Sequence, residues 1–435
     1  EVRDLDMKRF EHKLPYEVSG HGVFNGKVGG TISRPIFRGQ LKADTITMNG
    51  VELREIRSFA HYENGIVDLE DTGFRQGTDG SVTARLRYDM ETRALGGALD
   101  IEKMDVTALL ALANQTEQRL TGTITSEVQL GGTPDNPSIA LTGTLADGTL
   151  ATYPVNNVKL DAALADRVLT IRQIAGAQGT GGFSVVGTVD FDGMTNVDIA
   201  ASDIALGLFT KFAGVEEPVA GTATLTAHIG GYTQNPEADV HLMAKDGGMR
   251  GNSFDELLGE ARLRNSIIDL QQLVVTKYID GVRYMASAHG TLPLRALTAA
   301  RDEKLSAYEQ LDLTVVLDNA DLSLIPVFFN QVEWALGRTE GKLTMRGTLA
   351  APRLTGRLRV TDGAVKLRYF EHPLTDMQLS LDALGDTISV RECTGKMGAG
   401  TYLLTGRMGI AGMEPQSYDF TFVMNDLDLK TSFYE

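Results

Sequence analysis

The chain has 435 residues and a formal net charge of −16, its 57 acidic and 41 basic side chains spread along its length. That balance argues against a nucleic-acid binder, which needs a basic stripe, and a single cysteine, Cys393, excludes an intrachain disulfide framework. Glycine is abundant (47) and proline scarce (12), as in chains of many strands joined by tight turns.

Residues 1–20 read as the end of a preceding repeat, with Asp6 opening a short apolar segment in "DLDMKRF". Residues 21–119 form a first repeat, marked by "VGGTISRP" at 28–35. Its run 81–90 places Val82, Ala84, Leu86, Tyr88 and Met90 on one face of a strand and Ser81, Thr83, Arg85, Arg87 and Asp89 on the other. It closes on "DVTALLALANQTEQ", a short helix for which Asp105 is the expected N-cap.

A second repeat, 120–218, restates the signal as "LGGTPDNP" at 130–137. Its alternation brings Ile124, Val128 and Leu130, then Val158, Leu160 and Leu164, then Phe183, Val185, Val189 and Phe191 to one face. It ends on "SDIALGLFTKF", opened by Asp203. The third repeat, 219–335, starts with Ala223, Leu225, Ala227 and Ile229 in alternation and runs into "IGGYTQNP" at 229–236. A charged, Ala-rich stretch at 293–310 reads as a surface insertion, and Asp321 opens the closing segment. The fourth repeat, 336–435, carries Leu343 and Met345, "MRGTLAAP" at 345–352, the alternating Met377, Leu379, Leu381 and Ala383, and a final Asp landmark at Asp428.

Three landmarks recur in one order, the Gly–Pro signal, the opening Asp and a glycine cluster before an alternating strand (77–86, 179–189 and 398–406), and that is the mark of a repeat architecture. Nine Asn-Gly or Asp-Gly pairs, at Asn25, Asn49, Asn64, Asp79, Asp147, Asp192, Asp246, Asp280 and Asp362, suit hairpin turns with positive φ. The expectation is therefore an all-β chain with a few short helices, about eight antiparallel strands per repeat. No linker separates the repeats, so one sheet is expected to run through them as a single elongated domain. A sheet with one apolar face must curl to hide it; curled but unclosed, it makes an open trough with an apolar lining. The closing helices would then serve as local plugs or covers of a sheet edge.

Chemistry-bearing motifs are weak. "GAQGTGGF" (176–183) opens a strand rather than a helix and so offers a phosphate no helix N-terminus. "GRTEGKL" (337–343) has three residues between its glycines instead of four, and Leu343 stands where Ser or Thr must hold magnesium. The seven histidines show no ligand spacing. No catalytic residue, metal ligand or cofactor is expected. The longest apolar runs, at 107–113 and 324–329, are far short of a membrane span, and no signal peptide opens the sequence, so any exporting or anchoring segment is expected to lie outside it.

The segments "GGTPDNPSIALTGTLADGTLATYPVNNVKLDAAL" (131–164) and "MRGTLAAPRLTGRLRVTDGAVKLRYFEHPLTDMQLSL" (345–381) resemble the repeats of the TamB/AsmA-like family. The resemblance covers the whole chain as turn-and-strand grammar. It implies a taco-shaped β-trough in the periplasm of a diderm bacterium, anchored in the inner membrane by an N-terminal helix. It also implies that the lining, the alternating residues named above, carries phospholipid acyl chains toward the outer membrane. Two other readings stay open: a scaffold for outer-membrane protein assembly with a β-barrel partner, and a structural or adhesive rod.

Overall fold

The structure is a computed structural model that describes residues 2–8, 16–115, 119–212, 218–249, 252–298, 308–324, 332–368, 370–411 and 414–427. Strand accounts for 81% and helix for 5% of the described residues, so the fold is all-β, as the alternation requires. The chain forms two compact units, Glu1–Ile204 and Ala205–Glu435.

Unit 1 begins with β1 (Val2–Asp6), β2 (Val18–Thr31), β3 (Arg34–Met48), β4 (Val51–Glu63), β5 (Ile66–Gln76), β6 (Gly80–Asp89) and β7 (Leu95–Asp105). Helix α1 (Val106–Leu112) follows. Then come β8 (Leu120–Thr133), β9 (Asn136–Leu150), β10 (Tyr153–Ala165), β11 (Val168–Gln178), β12 (Gly181–Asp190) and β13 (Thr195–Ala205). Unit 2 holds α2 (Leu206–Phe212), β14 (Val219–Tyr232), β15 (Asn235–Met249), β16 (Asn252–Arg264), β17 (Ile267–Ile279), β18 (Val282–Pro293) and the short α3 (Arg295–Thr298). It continues with β19 (Gln310–Asp321), a 3-10 turn at Leu322–Leu324, β20 (Val332–Thr348), β21 (Ala351–Leu367), β22 (Leu374–Gly385), β23 (Thr387–Met397), β24 (Gly400–Ala411) and β25 (Glu414–Asn425).

Within each unit every strand pairs antiparallel with the next in sequence. Among the described residues no pairing joins β1 to β13 or β14 to β25, so the strands of neither unit close into a barrel. The repeated Gly and Pro face each other across two-residue hairpins: Gly30 opposite Pro35, Gly132 opposite Pro137, Gly231 opposite Pro236, Gly347 opposite Pro352. At Gly132 φ is +79°, and a Cβ would stand 2.3 Å from the Asn136 carbonyl oxygen, so no other residue fits without rebuilding the turn. These hairpins join β2 to β3, β8 to β9, β14 to β15 and β20 to β21. The interval is six strands, not the eight expected, because the strands are longer than the turn signals alone suggest: 14 residues for β2 and 17 for β20.

The Asn-Gly and Asp-Gly pairs divide. Asn49, Asn64 and Asp280 head two-residue hairpins, with φ of 47°, 50° and 51°. Asp79 and Asp192 lie in longer turns, and Asn25 sits inside β2. Asp147, Asp246 and Asp362 have the same positive φ (42°, 50° and 51°) but lie within β9, β15 and β21, where the ladder beside them is irregular in β14–β15 and β21–β22. Further shifts recur in β5, β11, β17 and β23, between Leu69 and Thr72, Ile171 and Ile174, Leu270 and Leu273, and Val390 and Cys393. Again the spacing is six strands. Bulges bend strands and increase their twist, and they supply the curl.

The direction of the curl follows from contacts across it. Asn49, in the turn between β3 and β4, donates from Nδ2 to the Ala111 carbonyl of α1 at 3.0 Å. In a flat sheet those elements would stand roughly 15 Å apart, three strand spacings. In unit 2, Lys277 of β17 reaches Ser323 Oγ, in the 3-10 turn after β19, at 2.9 Å. Both short helical elements pack with the apolar residues, so each unit curls toward its apolar face.

The closing segments follow the expectation at two of their Asp landmarks and depart from it at a third. Asp105 caps α1, its carboxylate accepting from Thr107 N at 2.7 Å, and Asp321 accepts from Ser323 N at 2.8 Å. Asp203 does not cap: it has φ of 51° inside β13, and α2 starts three residues later. Of the two roles expected of the closing helices, local plug or edge cover, α1 and α2 fit the first, lying over strand ends on the apolar face. The insertion is described only to Thr298 and from Tyr308, and Asp428 lies outside the described residues.

Candidate functional site

In an antiparallel ladder, residues directly opposite each other project from the same face, so the register traces a row across each sheet. Val82 faces Ile101 on β7, which faces Ser126 on β8, which faces Gly143 on β9. The row continues through Leu160, Ile174, Val185 and Ile199 on β10 to β13. A parallel row runs from Leu86 through Gly97, Leu130, Ile139, Leu164 and Leu169 to Val189. Ala84, Val128, Tyr88, Ile124, Val158 and Phe183 fall on the same face by the same pairings.

Unit 2 repeats the construction. Leu225 faces Leu242, and the row passes through Gly259, Leu273, Ala288, Val315, Leu343, Gly356 and Ala383 to Ile388. Ala223, Ala227, Ile229, Met345, Met377, Leu379 and Leu381 share that face. Phe191 is the exception among the residues expected to line it. It lies beyond the end of β12, 43% exposed in the turn to β13, because strand parity stops having meaning once the chain turns. Met90 leaves β6 in the same way and is 58% exposed.

The face is covered unevenly. Where α1 lies over it, Val106 packs in one buried cluster with Leu145, Val155 and Val158. In unit 2, Leu206 of α2 joins Ala223 and Ala244, and Leu322 joins Ala335, Val360, Met377 and Cys393. Toward the Gly–Pro hairpins the aliphatic residues are only half-buried: Leu86, Leu130, Leu164 and Val189 in unit 1, Leu225, Ile229, Leu343 and Met345 in unit 2. A second sheet packed on them would remove them from solvent altogether.

One polar residue interrupts the apolar row. Ser126 sits in the apolar row of unit 1, its Oγ buried and without a partner among the described residues, at a place where a stricter alternation would put an aliphatic residue.

The opposite face is polar and laced with cross-strand ion pairs. Arg172 meets Asp161 at 2.7 Å, and Arg264 meets Asp239 at 2.7 Å. Arg357 and Arg391 share the carboxylate of Asp382 at 2.8 and 2.6 Å, and these two guanidiniums hold it below the usual carboxylate range. Asp239 is lowered for the same reason by its hydrogen bond from Arg264.

Residues 337–343 run inside β20, and 176–183 contain the turn between β11 and β12. Among the described residues no group of three or more His, Cys, Asp or Glu side chains is placed to hold a metal ion. No described helix is long and apolar enough to cross a membrane. Comparison with known proteins adds nothing further: no family model, no curated protein and no solved structure matches the chain.

Proposed function

We propose that the curled apolar face of each unit binds the acyl chains of phospholipid and lets them pass along it, as a non-enzymatic lipid carrier. The observation that carries this reading is the half-buried aliphatic row that crosses strand after strand without a charged side chain. An acyl chain gains about 0.8 kcal/mol for each methylene withdrawn from water, and a lining of aliphatic residues and glycines with no charge in it lets that gain continue from strand to strand. A structural rod would consume the same residues in packing, and their partial exposure speaks against it. A setting in the periplasm between two membranes, with an inner-membrane anchor and an outer-membrane β-barrel partner in the parent protein, rests on the family resemblance alone and is part of the proposal.

The test uses a matched pair in β14. Leu225 faces Leu242 on the apolar side, whereas Thr224 faces Met243 on the opposite side of the pleat. Leu225→Asp places a charge in the path of the chains, and the cost of desolvating it opposes passage at that cross-section. Transfer of a fluorescent phospholipid between vesicles should fall at least tenfold with Leu225→Asp and stay within twofold of wild type with Thr224→Asp. Equal transfer by the two variants, or purified wild-type protein that yields no phospholipid on solvent extraction, rejects the reading.

A further inference from the structure

The chain-wide negative charge conceals a local reversal on the polar face of unit 2. Across the hairpin of β20 and β21, Lys342 stands directly opposite Arg357, and Arg346 directly opposite Arg353. Arg359 lies two residues beyond Arg357 on the same face, directly opposite Glu340, whose carboxylate is engaged by Arg338, and Arg391 approaches from β23 through the shared Asp382. All six are exposed. Some of this charge is answered: Arg346 by Asp312 at 3.0 Å, Arg357 and Arg391 together by one carboxylate. Among the described residues Lys342, Arg353 and Arg359 have no carboxylate within ion-pair distance.

Like charges directly opposite each other destabilise a hairpin, so the arrangement works against the fold it sits on. Nor does the fold require it. The hairpin of β8 and β9 has the same Gly–Pro turn, and there the corresponding face pairs Glu127 with Thr142 and Gln129 with Ala140. In the hairpin of β14 and β15 the face pairs Thr226 with His241 and His228 with Asp239. A weaker version appears in β2 and β3, where Lys27 stands opposite Arg38. The cations of β20 and β21 are therefore an addition to a turn that folds without them.

We infer that the outer face of β20 and β21 docks onto a phosphate-bearing lipid surface. Three features select that partner. The charge is positive, so the partner is anionic. The cations stand on one sheet face at strand spacings of about 5 Å and two-residue spacings of about 7 Å; they do not converge on a point, as a site for one small anion would require. The face is the outer side of the curl, and a convex surface cannot wrap a nucleic-acid rod but can press into a fluid layer of headgroups. The inference does not rest on the acyl-chain reading, which concerns the other face.

The experiment measures partition of the full chain onto vesicles of phosphatidylcholine with and without phosphatidylglycerol. Wild type should bind only the anionic vesicles, more weakly as salt rises. Lys342→Gln, Arg353→Gln and Arg359→Gln combined remove three cations. At about fivefold per cation near a charged bilayer the partition constant should fall on the order of a hundredfold. Lys27→Gln with Arg38→Gln should cost less. Leu225→Asp should leave binding unchanged while lowering lipid transfer at least tenfold, which separates failure here from failure of the acyl-chain reading. Unchanged binding by the triple variant, equal binding to the neutral vesicles, a larger loss from Lys27 and Arg38, displacement by inorganic phosphate beyond that by chloride of equal ionic strength, or binding to duplex DNA with none to vesicles would each overturn the proposal.

Discussion

Val155 and Leu164 lie on one strand, β10, and belong to the same apolar side of the same sheet, yet they live in different surroundings. Val155 is 1% exposed and clustered with Val106 of α1, Leu145 and Val158. Leu164, toward the Gly–Pro hairpins, is half-buried between Ile139 and Leu169 on the flanking strands. Two alternating stretches, brought to one face by the bulge at Asn157, thus produce a sealed region and an open one on a single strand. The difference is made by what lies on top: seven residues of helix at one end of the strands, and no helix at the other.

The largest expected effect tests this contrast directly. Val155→Asp buries a carboxylate with no counter-ion in an aliphatic cluster, and should cost about 4 kcal/mol or prevent unit 1 from folding. Leu164→Asp leaves the new charge within reach of water and should cost under about 1.5 kcal/mol. Urea unfolding of the full chain, followed by circular dichroism, checks both. If the two variants unfold at the same midpoint, the hairpin half of the face is as sealed as the helix half, and the proposed lining is a core.

Much of this was legible beforehand because strand alternation has a fixed period of two. Between bulges, which residues share a face follows from parity, and the register bears that out for Val82, Leu130, Val185, Leu225 and Leu379; across a bulge, as between Val155 and Leu164, parity fails. What parity cannot say is where a strand stops, hence the misplaced Phe191. Nor can an Asp-Gly pair reveal its own context. The left-handed residue that heads a hairpin at Asp280 also makes a bulge within β21 at Asp362, with φ of 51° in both. Only the length of strand on either side tells them apart. The covering by α1 was illegible for a different reason, since a short amphipathic segment after a strand can fold over either face or an edge. The basic hairpin was masked by averaging: composition sums charge over the chain, whereas register shows which charges stand opposite one another.

A smaller effect probes what holds the cover in place. Helix α1 has seven residues, too short to persist without tertiary support, and Asp105 satisfies an amide at its start. Asp105→Ala should cost about 1 kcal/mol, and the loss should appear locally. Amide exchange should quicken in α1 and in the strand ends beneath it, around Leu145 and Val155, while β12 near Val189 keeps its wild-type rate. Uniform quickening across unit 1 would mean that the covered and open halves unfold together.

The smallest effect compares the polar face with the apolar one. Asp382 has a carboxylate lowered chiefly by hydrogen bonds from Arg357 and then Arg391. A carboxyl whose folded value is depressed stabilises the fold above its unfolded value, near 4, and loses that contribution as pH falls through the lower folded value. Wild type should therefore lose stability more steeply than Asp382→Asn as pH drops below about 4. Above that range the two should differ by a constant amount, with Asn the less stable. Both guanidiniums are more than half exposed, at 72% and 65%, so solvent and salt screen the pair, and the effect should be small beside that of Val155→Asp. Thermal midpoints measured across this range at low and high salt decide the matter. Parallel curves for the two proteins at low salt would show that the ion pairs of the polar face add nothing to stability, leaving the aliphatic face and the backbone ladder to hold unit 2 together.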